Sequence, residues 1–393
     1  MSDLASAAPE TAPAGYQKLV SEALESVPAS APATAVWRAL GAAGALRALY
    51  RSSNALGPVA DPARLGTLLR AVDARGDNGA TLSVLVQAAS ALPILGSGRS
   101  GPGSAASSPV AAACDQVLAG TAQVALAATD DATAGSDLSG LGTEVRIEGD
   151  KLVVHGGKRW VTNAGSAEHL LVLARHRPGR HFTSFSWVLV PAGTAGVTVR
   201  PATTNLLANS AAGHIGFDSV RLPADHLVGR TGRGMAVFAR HMSTERLAGA
   251  QWAVALTSRV LADTSERLRQ RTVDGEPLWH NPVVRQGFAE CLVRVAQLRA
   301  LCDSLAETAA AGQNLSAGAV LKSAVGLTVD TVLARCAQLQ GADGFAEGGA
   351  QMIRAEAGVL GIGGGVTELM LASVADMSEQ LLAELRQEHI DAH

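Results

Sequence analysis

The sequence has few of the features that mark metal-binding, disulfide-stabilised or nucleic-acid-binding proteins. Four of the 393 residues are cysteine, without a C-x-x-C pair, and no histidine stands at zinc-ligand spacing. The cysteines are Cys114, Cys291, Cys302 and Cys336. We expect them to be small buried apolar residues in a reducing compartment, and we expect no metal site. The formal net charge of −3 gives no basic surface for nucleic acid or an anionic membrane.

Signals for export, membrane insertion and a Rossmann-type nucleotide site are also missing. The first 15 residues carry acids and prolines but no apolar signal-peptide core. No run of about 18 apolar residues predicts a membrane span. No G-x-G-x-x-G follows a strand pattern, and GIGGG (361–365) lacks the ending of a P-loop. We therefore expect a cytoplasmic protein in which these glycines allow close backbone approach to a ligand.

The spacing of apolar residues changes twice along the chain. It is helical at first, and then short apolar runs alternate with turn formers, which is typical of an antiparallel sheet or barrel. Long helical stripes return afterwards. The pattern predicts an α+β fold with an N-terminal helical domain (1–121), in which residues 1–34 form a loose arm followed by a short helix. A middle antiparallel β-domain (122–229) and a C-terminal four-helix bundle (230–393) follow.

Five segments carry a family resemblance in one fixed order. They are TDDATAGSD (129–137), GGKRWVTNAGSAEHLLVLAR (156–175), FDSVRLPADHLVGRTGRGM (217–235), QLQGADGF (338–345) and GIGGGVTEL (361–369). Each segment alone is a weak signal, but together and in this order they resemble the acyl-CoA dehydrogenase family. The resemblance implies that FAD binds on a β-domain held between two helical domains.

The resemblance also implies which residues of the middle domain hold the flavin. Thr129, Ser136 and Thr162 match its hydrogen-bonding positions, with Thr162 near N5, and Gly135 matches a further cofactor-binding position. Trp160 matches the position of the aromatic wall beside the ring. The alternative is that Trp160 and Thr162 are ordinary strand residues, which their β-propensities favour.

A further part of the cofactor site is implied in the C-terminal region. RTVDGEPL (271–278) resembles a family segment whose arginine reaches the FAD of a neighbouring subunit, although Asp274 replaces the usual phenylalanine. Arg271 presents the forked, permanently charged donors that suit a pyrophosphate. Gln338 and Gly341 match positions across the same cofactor, which implies a homodimer or homotetramer. The alternative is that Arg271 is a solvated residue in a basic run.

The position of the catalytic base departs from the common family pattern. Most members carry a glutamate where this chain has Gly364. A minority, resembling isovaleryl- and long-chain acyl-CoA dehydrogenases, uses the glutamate of an E-R-L segment instead, and this matches Glu245 in MSTERLAGA (242–250). The backbone N–H of Gly364 would then donate to the thioester oxygen. The alternative is that Ser243 or Thr244 caps a helix, so that Glu245 only complements the dipole of its first turn.

These residues predict FAD-dependent α,β-dehydrogenation of an acyl thioester, carried by CoA or a carrier protein. The expected redox partner is an electron-transfer flavoprotein, O2 or a flavin reductase. Departures at Gly364, Val366, Asp274 and the Gly-rich stretch 96–109 leave open another hydrophobic substrate and a role in secondary metabolism. They also leave open a flavin-dependent monooxygenase of the same fold. A flavin-less binding scaffold is the third possibility, and it predicts a colourless protein.

Overall fold

A computed structural model describes residues 13–54, 57–100, 108–130, 135, 137, 140–312 and 314–387. The chain divides into two compact units, the first ending at Ala248 and the second beginning at Gly249. The division falls inside one long helix, Gly234–Gln270. The three-domain boundaries expected from the sequence, at residues 121 and 229, stay a prediction.

Helices form the beginning of the first unit, as the spacing of apolar residues predicts. They are α1 (Pro13–Glu25), α2 (Ala33–Ala42), α3 (Ala45–Ala48), α4 (Pro62–Asp73), α5 (Asn78–Val86), α6 (Leu92–Ser97) and α7 (Pro109–Leu118). The apolar stripe Leu65, Leu68, Leu69 and Val72 is fully buried. A hairpin of β1 (Tyr50–Asn54) and β2 (Gly57–Ala60) interrupts the predicted helical run. Of the predicted Gly-rich loop 96–109, residues 96–100 are helical and 101–107 lie outside the described residues.

Helix α1 is the short helix that the sequence predicts within residues 1–34, and it begins at Pro13. Tyr16 and Val20 are completely buried, and the Tyr16 hydroxyl donates to the Ala45 carbonyl at 3.3 Å. Two large apolar side chains four residues apart share one helix face, which gives the segment a buried side despite its alanines and prolines. Residues 1–12 of the arm lie outside the described residues.

The helical run that starts with α5 contains a wider turn before α6. Residues Gln87–Ala91 are π-helical, and the Leu92 N–H bonds to the Gln87 carbonyl five residues earlier. Pro93 follows, and its missing N–H removes a regular bond to the carbonyl four residues before it. A π turn inside an α-helix is frequently found at a functional site.

The middle of the first unit is an eight-stranded sheet. Its strands are β3 (Val124–Ala127), β4 (Glu144–Glu148), β5 (Lys151–Val161), β6 (His169–Arg175), β7 (Phe185–Pro191), β8 (Val197–Pro201), β9 (Gly213–Pro223) and β10 (Leu227–Val228). The order is β10-β7-β6-β4-β5-β9-β8, with β3 also paired to β6. Pairing is antiparallel except where β6 meets β3 and β4. The sequence predicts strands at five apolar runs, and the structure has a strand at each of them: VALAA (124–128), KLVV (151–154), HLLVLA (169–174), SWVLV (186–190) and VTV (197–199).

Long helices return with α8 (Gly234–Gln270), which begins in the first unit and continues into the second. The second unit then contains α9 (Pro282–Ala311), α10 (Leu315–Gln340), α11 (Ala350–Ala357), α12 (Val359–Ile362), α13 (Thr367–Asp376) and α14 (Ser378–Gln387). A small hairpin, β11 (Thr272–Val273) with β12 (Glu276–Pro277), precedes α9. All four cysteines are free thiols and buried, as expected. The sequence predicts one apolar stripe along α9, and five of its residues are buried: Phe288, Cys291, Val295, Leu298 and Cys302. Leu305 of the same stripe is half-buried, and Leu292 is 48% exposed.

Three helical segments among the described residues have the length and apolarity that a membrane span needs. They are Asn78–Ser97, Leu315–Phe345 and Ala350–Asp376. By length and composition, the sequence-based expectation that no segment could span a membrane is therefore wrong. Asn78–Ser97 is 89% buried inside the protein, as a core helix would be, whereas Ala350–Asp376 is only 11% buried. The last segment therefore presents an extended apolar surface to its surroundings.

Candidate active site

Trp160 lies at an irregularity near the end of β5. The register of β5 against β9 shifts between Lys158 and Val161, and Trp160 has a positive φ of 52°. Such bulges re-aim side chains, and here the indole is 58% exposed. The indole ring meets His214 edge-on at 5.3 Å between centroids, and the backbone N–H of Trp160 donates to His214 Nδ1 at 3.3 Å. An indole held in place yet open on its remaining surface fits the aromatic wall that a flavin ring requires.

A buried ion pair lies two residues before Trp160 on β5, at the strand end that we call the Trp160 edge. Lys158 is 0% and Asp130 3% exposed, and the ammonium of Lys158 donates to Asp130 Oδ1 and to the Ala128 carbonyl at 3.0 Å. Asp130 Oδ2 accepts from the N–H groups of Gly142 and Thr143 at 2.5 and 2.7 Å. Buried charges persist when they are paired and hydrogen-bonded in this way. The pair fixes the start of the 129–137 segment against β5.

Thr129 is brought next to the Trp160 edge by that anchor. The Arg159 N–H donates to the Thr129 carbonyl at 3.0 Å, one residue before Trp160. A Cβ on Gly135 would lie 3.2 Å from Thr129 Cγ2, so these two residues are also neighbours. Ser136 lies outside the described residues. The structure therefore brings Thr129, Gly135 and Trp160 together, with Thr162 two residues further along the chain.

Asn163, the last residue of the W-V-T-N segment, connects the sheet to the helices. It is completely buried in a left-handed conformation with φ 67°. Its Oδ1 accepts from Ser83 Oγ at 2.6 Å, and its Nδ2 donates to the Ser83 carbonyl at 3.3 Å. Asparagine tolerates this backbone region better than most residues. Asn163 thus anchors the chain just after Trp160 and Thr162 to helix α5.

Glu245 lies in the interior of α8. The helix begins at Gly234, so the alternative that Ser243 or Thr244 caps it, with Glu245 in the first turn, is wrong. Both of these residues are buried within the helix. The Glu245 side chain is half-buried, and its Oε2 accepts a hydrogen bond from Ser90 Oγ. A favourable dipole interaction at the helix start therefore does not account for this carboxylate.

The charge environment of Glu245 includes the next residue on α8. Burial lowers the pKa of Arg246 from its ordinary value, and the Glu245 carboxylate acts in the opposite direction. A guanidinium stays protonated at neutral pH even when its pKa falls somewhat. Arg246 therefore places a positive charge beside the candidate base in a partly desolvated setting.

Gly364 belongs to the second unit, in the turn between α12 and α13. Its φ is +73°, and Gly365 follows with φ +116°. Such angles favour glycine because they strain any residue with a Cβ. At the end of α12, the buried Lys322 ammonium donates to the Leu360 carbonyl. The segment GIGGG (361–365), which we expect to approach a ligand closely, therefore ends in a tight turn. The residue just before this segment is held by the buried Lys322.

Arg271 and Gly341 meet in the second unit, as their matched positions imply. Arg271 Nη1 donates to the Gln340 carbonyl at 2.7 Å, and a Cβ on Gly341 would come within 3.3 Å of it. Arg271 and Gln338 are both exposed, and Gln338 Oε1 accepts from Arg335 at 2.5 Å. The exposed Arg271 guanidinium also lies 3.8 Å from Asp343 Oδ2. Its forked donors fit an anionic ligand such as a pyrophosphate.

Two family sequence models match the chain. Residues 125–220 match the middle domain of acyl-CoA dehydrogenases, and residues 232–378 match their C-terminal domain. Together these matches cover more than half of the chain. The chain belongs to the acyl-CoA dehydrogenase family.

Known relatives of this family member include mycobacterial proteins. The probable acyl-CoA dehydrogenase FadE2 of Mycobacterium tuberculosis (strain ATCC 25618 / H37Rv) is 30% identical over 203 residues, 50% of each chain. The acyl-[acyl-carrier-protein] dehydrogenase MbtN of Mycobacterium sp. (strain MCS) is 30% identical over 202 residues, again 50% of each. The chain thus spans about half the length of the curated relatives it matches.

A solved structure is similar over nearly the whole chain. A glutaryl-CoA dehydrogenase from Mycobacterium smegmatis in complex with FADH2 aligns with a TM-score of 0.78 at 19% identity. The alignment covers 92% of this chain and 93% of that one. At this identity the likeness shows the fold, and it confirms the acyl-CoA dehydrogenase-like fold class.

Several residues that shape the candidate site were not found from the sequence. Ser90 contacts the candidate base, and only Pro93 shortly after it signals an irregular helix. Gln340 is 1% exposed; it donates to Asp263 and Thr264 of α8, and it accepts from the Ala350 N–H at 3.1 Å. In the sequence, the only signal for Gln340 is the motif QLQGADGF (338–345) that contains it. In the part of the chain that is described, no three His, Cys, Asp or Glu side chains group as metal ligands.

The individual site assignments stay predictions. They concern Glu245, Gly364, Thr129, Gly135, Ser136, Trp160, Thr162, Arg271, Gln338 and Gly341. The geometry supports two groups of assignments. In the first unit Thr129 and Gly135 lie near Trp160, and in the second unit Arg271 lies beside Gly341.

Proposed function

We propose that this chain is an FAD-dependent dehydrogenase that introduces a double bond between the α- and β-carbons of an acyl thioester. The observation that carries the proposal is Glu245, a half-buried carboxylate in the interior of α8 that is anchored by Ser90. Because α8 begins at Gly234, Glu245 does not lie in the first turn and is not explained by helix capping. A positioned carboxylate is the group that α-proton abstraction requires.

The residues divide the reaction between them. Glu245 takes the proton from the α-carbon. FAD, when bound, would supply the acceptor for the hydride that leaves the β-carbon. Trp160 would form an aromatic wall for its ring, and Thr129 and Thr162 would offer hydrogen-bonding groups near it. Arg271 and Gly341 would hold its pyrophosphate. The Gly364 N–H polarises the thioester carbonyl, which acidifies the α-proton.

The acyl carrier is CoA or an acyl-carrier protein. Both kinds of thioester occur in the names of the curated relatives, one an acyl-CoA and the other an acyl-carrier-protein dehydrogenase. A monooxygenase is not favoured, because the matched family models and both relatives carry dehydrogenase names. The redox partner that would reoxidise the cofactor is an electron-transfer flavoprotein or O2.

An anaerobic titration tests the activity. The purified yellow protein is mixed without oxygen with acyl-CoA and acyl-carrier-protein thioesters of short, medium and long chains, and the flavin absorbance is followed. We expect bleaching by at least one thioester and formation of the enoyl product. Glu245→Gln should lose the bleaching while keeping its flavin.

A matched control is Glu266→Gln, which removes an exposed carboxylate from the same helix, where it accepts only from Gln270 at 3.1 Å among the bonds described. It should bleach as the unchanged protein does. A protein without flavin contradicts the proposal. So does a protein that no thioester bleaches but that consumes O2 with an external reductant when a substrate is present.

The enzyme works as a homodimer or homotetramer. Support comes from the segment Ala350–Asp376, apolar yet only 11% buried in the single chain, and from exposed Ile362, Leu369, Leu382 and Leu385. Apolar surface of this extent normally marks an interface. Light scattering should give a multiple of the 40.0 kDa chain mass, and a stable monomer would contradict this assembly.

The protein is cytoplasmic. Support comes from the burial of Asn78–Ser97 inside the first unit and from four free thiols, which suit a reducing compartment. The exposed segment Ala350–Asp376 then packs against another subunit rather than against lipid. Fractionation of cells should recover the protein without detergent, and recovery in the membrane pellet would overturn the assignment.

A further inference from the structure

Ser90 and Glu245 form a contact that no sequence motif indicates. The two residues are 155 positions apart, and both lie in the first unit. Ser90 Oγ donates to Glu245 Oε2. The serine is 1% exposed, whereas the carboxylate is half-buried and open to the surface on part of its area. A hydroxyl that donates to an ionised carboxylate forms one of the stronger hydrogen bonds in proteins.

The π turn sets the direction of the serine side chain. Within Gln87–Ala91 the polar side chains are those of Gln87 and Ser90, and the three alanines are fully buried. Gln87 Oε1 accepts from the Val124 N–H of β3 at 3.2 Å, so it faces the sheet. Ser90 faces α8. The wider turn therefore lets one short segment contact the sheet with one residue and the candidate base with another.

We propose that Ser90 is a positioning residue for the catalytic base. This inference rests on the proposed function, in which Glu245 abstracts the α-proton. Ser90 fixes one carboxylate oxygen and so limits the rotamers that the flexible glutamate side chain adopts. By donating to the carboxylate, it also stabilises the ionised form, which is the form that accepts a proton. Ser90 itself transfers no proton and no electrons.

The test compares Ser90→Ala with Thr81→Val in the FAD-loaded protein. Thr81 is fully buried on α5, and its hydroxyl donates to the Asp77 carbonyl of its own helix at 2.8 Å, so this control loses a buried hydroxyl away from the base. The rate of anaerobic flavin reduction is measured against pH. Ser90→Ala should lower the rate at neutral pH roughly tenfold and move the acid limb of the profile up by about one pH unit. Thr81→Val should leave the position of the limb unchanged.

A second measurement needs no substrate. Ser90→Ala and Glu245→Gln, alone and combined, are compared by thermal unfolding. The loss of melting temperature in the double variant should fall short of the sum, because each single change removes the same bond. If Ser90→Ala does not fold, Ser90→Cys takes its place, and its weaker thiol donor should shift the acid limb in the same direction by a smaller amount.

The outcomes separate this inference from the proposed function. If the unchanged protein is bleached but Ser90→Ala keeps the original acid limb, Ser90 has no positioning role and the dehydrogenase proposal stands. Additive losses of melting temperature also overturn the role of Ser90. If no thioester bleaches the unchanged protein, the proposed function fails, and the thermal comparison still decides whether the bond between Ser90 and Glu245 exists.

Discussion

Replacing Asp130 by asparagine removes one charge from the buried pair at the Trp160 edge while keeping the size of the side chain. Lys158, 0% exposed, then stays in the interior without the Asp130 charge, beside the Ala128 carbonyl at 3.0 Å. Removing one partner of a buried ion pair costs about 3–5 kcal/mol of unfolding free energy. We expect a loss in this range, because Asp130 also accepts from Thr143 and Gly142 at 2.9 Å or less.

Guanidinium chloride unfolding at neutral pH, followed by circular dichroism and by flavin release, measures this loss. The control is Asp330→Asn, which breaks the Arg354–Asp330 pair of 2.7 Å, whose side chains are 35% and 67% exposed. An exposed pair contributes about 0–1 kcal/mol. Asp130→Asn should also release FAD more readily, because the 129–137 segment loses its anchor. If both variants lose the same small amount of unfolding free energy, burial does not make the Asp130–Lys158 pair more important for stability than an exposed pair, and the reasoning is refuted.

Three further predictions concern single residues. Trp160→Ala should weaken FAD binding, measured by equilibrium dialysis, with little change in melting temperature because the indole is 58% exposed. Arg271→Ala should lower FAD affinity by roughly tenfold or more, and the difference from the unchanged protein should shrink in high salt; unchanged affinity would remove Arg271 from the site. Burial lowers the pKa of His169, so its stabilising contribution is present above about pH 6.5 and is lost as the pH falls through the lowered value. His169→Gln should therefore flatten the melting temperature between neutral and mildly acidic pH, and an unchanged slope would contradict this.

The strands and most helices could be predicted because their signals are local. The run HLLVLA and the stripe of α4 each carry the period of the element they form. The hairpin of β1 and β2 was missed, since it interrupts an otherwise helical pattern and depends on distant partners such as the Ala88 carbonyl, to which Tyr50 donates at 2.7 Å.

Individual site residues could be assigned from motifs, but the contacts that hold them could not. Thr129 and Trp160 stand in recognisable segments, whereas the pairing of Asp130 with Lys158 joins positions 28 residues apart. The bond from Ser90 to Glu245 spans 155 positions and depends on a π turn that single-sequence patterns do not reveal. Spacing along a helix or strand predicts which face a residue occupies. It does not predict which distant side chain contacts that face.

The backbone at Gly364 bears on where a candidate base can stand in this chain. Gly364 has φ +73°, so a glutamate there would strain the backbone by about 1 kcal/mol or more. In this chain the turn after α12 is therefore suited to a glycine, whose N–H remains as a donor but which supplies no carboxylate. The long side chain of Glu245 instead stands on the regular backbone of α8, which causes no such strain. Because that helix continues for many residues on either side, Glu245 is held by its bond from Ser90 rather than by a helix end.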